Sequence, residues 1–180
     1  MGTWKTRGLR GSGLEDILNL SNQIYRESRI ALVQKIPTPI TPMEIDRQTR
    51  HITLAYFDKQ STVDYIGLVQ SIPICFDAKE CATDTFPLAN VHAHQIEFMR
   101  DFEAQRGISF LIVQFTARDE SYFLPFRSLQ TYWKRMEAGG RKSFTYEEMN
   151  RTFPIRKTRE VPLHYLEQLE AYLEQLDSYS

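Results

Sequence analysis

A chain of 180 residues, 42% hydrophobic and 25% charged, can bury a core without disulfides, so we predict one domain over 1–180. This composition excludes a globally disordered or low-complexity protein, and two cysteines are too few for a disulfide framework. The chain has neither a run of about eighteen apolar residues nor a hydrophobic segment near its start. We therefore expect a cytoplasmic protein with no membrane partner.

The net charge of −1 conceals an uneven charge distribution. Residues 134–159 carry eight Lys and Arg against three acids, whereas 160–180 carry five acids and no Lys or Arg. Two further basic clusters lie at Lys5, Arg7 and Arg10 and at Arg47, Arg50 and His51. Such clusters suit phosphate contacts, although a solvated surface is the commoner explanation for any one of them.

The first predicted element is an amphipathic helix at 14–28, because its apolar residues recur at helical spacing. Ser12 and Glu15 match the capping box that begins such a helix. A short strand at 29–34 follows, and three prolines then end regular pairing. After them, two strands flanking a basic tip predict an extended hairpin over 40–57.

The remaining elements alternate between strand and helix patterns. Strands are predicted at 63–69, 72–80, 108–116 and 121–125, and helices at 88–105 and 128–137. This order predicts an α/β protein with a mixed sheet flanked by helices.

The last predicted element is a C-terminal helix within 160–180, beginning at Pro162. Its apolar stripe consists of Leu166, Leu169, Leu173 and Leu176. We expect this helix to pack on its own domain, with a dimer contact as the alternative, since two heptads are short for a coiled coil.

A candidate site lies at the end of the strand IPICFDAKE (72–80). On a strand, Asp77 and Lys79 project from the same face. If the chain turns at 70–71, Asp64 on the neighbouring strand faces Asp77, with Cβ atoms roughly 4.5 to 5.5 Å apart. Two ionised carboxylates at that distance repel each other unless a cation lies between them.

A divalent metal is the cation that suits such a pair. Mg²⁺ prefers carboxylate and carbonyl oxygens, so Asp64 and Asp77 are predicted ligands and the backbone carbonyl of Ala78 is a third. Lys79 is placed to orient or deprotonate a water and to stabilise charge on a phosphate, which predicts phosphodiester hydrolysis. The alternative is an ion pair at a strand end beside an unrelated surface aspartate.

Gln95 points an amide inward on the predicted helix 88–105. It binds either the nucleophilic water, a phosphate oxygen or only a core carbonyl. Other chemistries are excluded by spacing: His92 and His94 lie two residues apart and cannot chelate one ion from a helix. The chain also lacks the motifs of serine hydrolases, P-loop NTPases and thioredoxins.

Several motifs together resemble the RecU family of Holliday junction resolvases. They are, in order, RGSGLE (10–15), KIPTPI (35–40), AYFDKQSTVDYIG (55–67), FDAKE (76–80), FPLANVHAHQIE (86–97), GISFLIV (107–113) and GGRKS (139–143). The resemblance covers roughly residues 9–167.

The resemblance implies a restriction-endonuclease-like core of the PD-(D/E)xK type. It also implies a homodimer that nicks two opposing strands of a four-way DNA junction with Mg²⁺, or with Mn²⁺ in its place. Family members engage RecA and the branch-migration motor, so these are further expected partners.

The resemblance also implies roles for individual residues. Asp64 and Asp77 correspond to metal ligands, Lys79 to the catalytic lysine and Gln95 to a downstream polar residue. Glu15 corresponds to a helix-borne acid of the site, and its capping role stays open beside that one. The triplet acid is usually Glu in the family, so Asp77 is one methylene shorter.

The hairpin at 40–57 corresponds to a stalk that enters the junction centre. We assign DNA contacts to basic residues of the stalk and of the matched motifs: Arg10, Lys35, Arg47, Arg50, Lys59, Arg141 and Lys142.

Two other functions remain open from the sequence. The first is a nuclease of the same fold acting on other DNA, such as a phage or restriction-type enzyme. The second is a junction-binding protein that modulates RecA and has weak nuclease activity.

Overall fold

The structure is a computed structural model that describes residues 13–57, 62–149 and 151–178. Its helices are α1 (Gly13–Glu27), α2 (Ala93–Ala104), α3 (Phe126–Glu137) and α4 (Leu166–Asp177), with a 3₁₀ turn at Leu88–Asn90. Its strands are β1 (Ala31–Lys35), β2 (Ile40–Ile45), β3 (Ile52–Phe57), β4 (Tyr65–Val69), β5 (Ile72–Cys81), β6 (Thr85–Pro87), β7 (Ile108–Phe115), β8 (Glu120–Pro125), β9 (Ser143–Thr145) and β10 (Pro154–Ile155). Within these ranges, every helix is too short or too polar to cross a bilayer.

A six-stranded sheet in the order β1-β4-β5-β7-β8-β10 forms the centre of the fold. β5 and β7 are parallel, and their other neighbours pair antiparallel. One face of the sheet packs its apolar side chains with those of α2 and α3, and the other face packs with α1 and α4. The predicted α/β architecture, a mixed sheet flanked by helices, is confirmed.

The β4–β5 hairpin has the register that a turn at 70–71 requires, with Tyr65 opposite Phe76. Gln70 and Ser71 form this turn with φ values of 46° and 78°. Positive φ at both central residues matches the twist of the flanking strands, but it is a conformation that side chains with a Cβ resist. Packing of these strands against the helices on both faces of the sheet therefore outweighs an unfavourable turn sequence.

Ser71→Gly should relieve the backbone strain in this turn and raise the free energy of unfolding by about 1 kcal/mol in urea denaturation. Ser143→Gly in β9, outside any such turn, is the control and should lower it by about 0.5 to 1 kcal/mol. Equal destabilisation by the two substitutions would show that the turn is unstrained.

The predicted hairpin at 40–57, here called the stalk, forms its own two-stranded sheet from β2 and β3. Its tip is organised by Asp46, whose Oδ1 accepts the backbone N–H groups of Gln48 at 2.8 Å and Thr49 at 3.3 Å. Many large apolar side chains of the stalk are exposed: Ile40, Met43, Ile45, Ile52, Leu54, Tyr56 and Phe57. The stalk thus combines an apolar shaft with a basic tip.

The predicted helix at 88–105 is wrong at its beginning. Leu88–Asn90 form a separate 3₁₀ turn, and α2 begins only at Ala93. His92 is extended, with φ −87° and ψ 151°, and its backbone N–H donates to the side chain of Gln95. That bond sets the start of α2 and leaves the preceding residues outside the helix.

The C-terminal helix begins at Leu166 rather than at Pro162. The residues between them bond elsewhere: the N–H of Leu163 donates to Ser21 Oγ at 3.0 Å, and the N–H of His164 donates to the carbonyl of Arg156 at 3.0 Å. The apolar stripe of α4 contributes to the core beside α1, as predicted for a helix that packs on its own domain.

Candidate active site

Asp64, Asp77 and Lys79 meet at one end of the central sheet. Asp77, on β5, is fully buried, and its Oδ1 accepts the backbone N–H of Asp64 at 2.6 Å. Lys79 Nζ lies 3.4 Å from Asp77 Oδ2 and 3.8 Å from Asp64 Oδ2. The structure therefore places both carboxylates around one ammonium group.

Local strand geometry accounts for this convergence. Asp77 and Lys79 are two residues apart on β5 and share a face, while the β4–β5 register carries Asp64 to the position opposite Asp77. The N–H of Ala78 lies 3.5 Å from Asp64 Oδ2 and donates a long hydrogen bond to it. The carbonyl of Ala78 remains a predicted metal ligand.

The ionised form of the Asp77 carboxyl group is disfavoured by its surroundings. Burial raises its pKa to about 6; nearby Lys79 acts against this rise, and the charge of Asp64 adds to it. Asp77 Oδ2 is buried and makes no hydrogen bond, although Lys79 is within ion-pair distance. A buried anionic oxygen without a hydrogen-bond donor favours binding of a further cation.

The donor set fits Mg²⁺. Among the described residues, no group of three or more His, Cys, Asp or Glu side chains is arranged to hold a metal ion. Mg²⁺ does not need such a group, because it is commonly bound by one or two carboxylates and keeps several waters for exchange with substrate phosphate. Asp64 and Asp77, one of them with a buried oxygen that lacks a hydrogen bond, satisfy this requirement.

Glu15 lies beside this site but pairs with a basic residue. Its Oε2 is 2.5 Å from Lys35 Nζ. These two side chains line a cavity of about 370 Å³ together with Asp64, and Glu15 also lines a cavity of about 170 Å³ with Lys79 and Glu80. The expected capping partner at position 12 lies outside the described residues, so both roles of Glu15 remain predictions.

Glu80 is a structural residue of the site that the sequence analysis missed. Its Oε1 accepts the N–H of Leu14 at 3.0 Å, which joins β5 to the first turn of α1. The only sequence signal was alternation, since Glu80 projects from the opposite face to Lys79 and thus towards α1. Glu80 holds α1 where Glu15 borders the cavity shared with Lys79.

Glu80→Ala should lower the free energy of unfolding by about 1 kcal/mol, because the Leu14 N–H loses its acceptor at the helix start. Glu80→Gln keeps an acceptor oxygen and should recover most of that loss in the same urea titration. Equal losses for the two variants would show that the charge of Glu80, not its hydrogen bond, carries the effect.

Gln95 occupies the third position of α2 and is 5% exposed. Its Oε1 accepts the N–H of His92 at 3.0 Å, which is a helix-capping role. Within the part of the chain that the structure describes, Gln95 makes no hydrogen bond to Asp64, Asp77 or Lys79. The structure therefore supports a local role for its oxygen, and a catalytic role remains a prediction.

The predicted DNA contacts differ in their surroundings. Arg10 and Lys59 lie outside the described residues. Lys35 pairs with Glu15, as noted, and Arg141 lies 3.3 Å from Glu148 Oε2. Glu148 also accepts a hydrogen bond from Arg135, which is the main reason that its pKa falls to about 2. The ion pairs leave Lys35 and Arg141 only partly available to a phosphate.

The other predicted contacts lack carboxylate partners. Arg47 and Arg50 lie at the exposed tip of the stalk, where Arg50 has a φ of 58°. In the described ranges, neither of them nor Lys142 forms an ion pair. These three cations are open to an external anion.

Two carboxylates and a lysine that converge at the end of a sheet are typical of metal-dependent hydrolases that act on phosphodiesters. Comparison with known sequences specifies the family. The family described as RecU, Recombination protein U, matches residues 9–171. The chain belongs to this family.

Curated relatives match most of the chain. The Holliday junction resolvase RecU of Leuconostoc citreum is 39% identical over 177 residues, which cover 96% of this chain and 85% of the relative. The protein of the same name from Leuconostoc mesenteroides is 41% identical and covers 94% and 84% of the two chains. That of Bacillus cereus strain AH820 is 44% identical over 144 residues, covering 78% and 72%.

Proposed function

We propose that this protein is a metal-dependent endonuclease that resolves four-way DNA junctions by paired symmetric nicks in recombination and repair. The observation that carries the proposal is the convergence of Asp64, Asp77 and Lys79 in a member of the RecU family. Relatives that are 39% and 44% identical to it over the aligned residues are named Holliday junction resolvases. We also assign the sheet and its flanking helices to a restriction-endonuclease-like core.

Asp64 and Asp77 would hold Mg²⁺, or Mn²⁺ in its place, with the carbonyl of Ala78 as a third ligand. When bound, the ion supplies Lewis-acid stabilisation of the phosphate and lowers the pKa of a water. Asp77 is held rigid for this task by the N–H of Asp64, whereas Asp64 is partly exposed and borders the solvent.

Lys79 interacts with both the attacking water and the phosphate. Its side chain is 20% exposed and its ammonium nitrogen lies within 4 Å of both carboxylates, so the side chain is positioned without being fully removed from solvent. It orients the attacking water and stabilises negative charge on the phosphate as the new P–O bond forms and the bond to the leaving oxygen breaks.

Two symmetric nicks require two active sites. We therefore propose a homodimer with one site in each subunit, and we propose that the stalk enters the junction centre. The basic stalk tip suits the high phosphate density there. RecA and the branch-migration motor remain proposed partners.

Asp77→Asn should abolish Mg²⁺-dependent nicking of a synthetic four-way junction while leaving junction binding within about twofold. The substitution keeps the shape of the side chain and an acceptor for the Asp64 N–H, but it removes the charge that a cation needs. Cleavage on denaturing gels and binding in EDTA measure the two effects. Asp101→Asn on the exposed surface of α2 is the control and should cleave normally. Full cleavage by Asp77→Asn would exclude the two-carboxylate site.

The substrate class is tested with the wild-type protein. We expect nicking of a four-way junction in Mg²⁺ and little or no cleavage of linear duplex or single-stranded DNA of the same sequence. Sequence-specific cutting of linear duplex would instead indicate a same-fold nuclease of another kind. Junction binding without cleavage in either Mg²⁺ or Mn²⁺ would indicate a binding protein.

Arg47→Ala combined with Arg50→Ala should weaken junction binding by about tenfold and duplex binding by much less, because a stalk tip at the junction centre has no equivalent contact on duplex. Mobility-shift titrations at one salt concentration measure both. The matched control is Arg100→Ala with Arg106→Ala, two exposed arginines on or just after α2. Equal losses of affinity for junction and duplex would show that the stalk tip does not lie at the centre of the junction.

A further inference from the structure

Four cations gather at the same end of the sheet as the catalytic carboxylates, but across three strands from them. The register places Cys81, Phe115 and Glu120 in one row over β5, β7 and β8. Ile155 of β10 pairs with Ser121, so the residue after Ile155 lies level with Glu120. The cations beside this row are Arg118, Arg151, Arg156 and Lys157, here called the distal cationic edge.

Two of these cations stack on the aromatic ring of Tyr146. The guanidinium carbons of Arg118 and Arg151 lie 4.1 and 4.8 Å from the centroid of its ring. The ring is itself fixed, because its hydroxyl donates to Glu120 Oε2 at 2.6 Å and lies 3.1 Å from the hydroxyl of Tyr122. Stacking on a fixed ring restricts each guanidinium group while leaving N–H groups free to donate.

The cations of the distal cationic edge differ in their charge partners. Arg118 forms a forked pair with Asp84 at 2.7 and 2.6 Å, and Lys157 pairs with Asp119. Across residues 13–57, 62–149 and 151–178, Arg151 and Arg156 form no salt bridge, and both are exposed; the charges of Glu120 and Glu147 act on Arg151 only from a longer distance. Asp84 already balances the charge of Arg118, and Asp119 that of Lys157, so Arg151 and Arg156 are the cations of this edge that attract an external anion.

We propose that Arg151 and Arg156 bind backbone phosphates of the DNA arm that extends away from the cleaved bond. This inference rests on the proposed function and adds a contact surface to it. Contacts of this kind set the register of the protein on DNA and carry no base specificity. The acidic partners of Arg118 and Lys157 limit the surface to these two free arginines.

The geometry sets the distance of these contacts from the cleaved phosphate. Three steps between strands at about 4.8 Å each separate β10 from β5, which is about 14 Å, and the row of Cys81 lies four residues, about 13 Å, beyond Asp77 along β5. The two perpendicular components combine to about 19 Å. One strand of B-form DNA advances about 3.4 Å per phosphate along the helix axis. The phosphates bound by Arg151 and Arg156 therefore lie about six nucleotides from the nick.

The test uses the full chain with Arg151→Ala and Arg156→Ala together, binding a four-way junction in EDTA between 50 and 200 mM salt. Each lost phosphate contact should reduce the slope of log K against log salt by about 0.9, so the double variant should lose about 1.8. Its affinity at the lowest salt should fall by about fivefold or more. Arg100→Ala with Arg106→Ala is the matched control and should leave the slope unchanged.

Arg156→Ala alone removes no stacking contact with Tyr146, so it tests the proposal if the double variant fails to fold. It should reduce the slope by about 0.9. Neutral methylphosphonate linkages placed about six nucleotides from the mapped nick should weaken wild-type binding and add no loss to the double variant.

An unchanged salt slope in the variants, or the same methylphosphonate effect in wild type and double variant, would overturn the proposed surface. Cleavage separates this failure from failure of the proposed function. If the wild-type protein nicks junctions and the variants bind them normally, the proposed phosphate-binding surface is excluded and the nuclease function is not. Wild type that binds with the expected slopes but never nicks excludes the nuclease function and leaves the surface intact.

Discussion

A carboxylate buried on the central strand is the constraint on which the candidate site depends. Asp77 has one hydrogen-bond donor, the backbone N–H of Asp64, and its second oxygen lies buried near Lys79 without a hydrogen bond. Such a group is costly in an apolar sheet unless a cation compensates for it. Asp77 lies at one end of the sheet, and the Asp64 side chain beside it is partly exposed to solvent.

Strand β5 connects this constraint to both layers of the fold. Its side chains alternate, so Asp77 and Lys79 face the layer that contains α2 and α3, while Glu80 faces α1 and accepts the N–H of Leu14. A shift of the β4–β5 register by one residue would move Asp64 away from Asp77 and would turn the buried Tyr65 away from the layer of α1 and α4. The hydrophobic pattern and the charge pair therefore require the same register, even though the turn at Gln70 and Ser71 is strained.

Features with a strong period were predictable from the sequence. The alternation of side chains along β5 predicted which residues share a face with Asp77. A turn at 70–71 fixes which residues of the two strands face each other, and it predicted Asp64 as the partner of Asp77. The stalk bounds followed from prolines and a polar tip. These features depend on local sequence and on one pairing, so the structure matches them.

Features set by single tertiary contacts were not predictable. The three short strands β6, β9 and β10 have too few residues for a period, and the start of α2 depends on one side-chain bond from Gln95. Glu80 could not be assigned before the position of α1 was known. The stacking of Arg118 and Arg151 on Tyr146 joins segments distant in sequence, so no local pattern indicates it.

The most direct test of the central claim is anomalous diffraction from crystals grown with Mn²⁺. Binding of the ion by both carboxylates predicts an anomalous peak within about 2.3 Å of carboxylate oxygens of both Asp64 and Asp77, with Lys79 beside it. A well-ordered site without manganese, with Asp77 Oδ2 still facing only Lys79 at saturating metal, would contradict it.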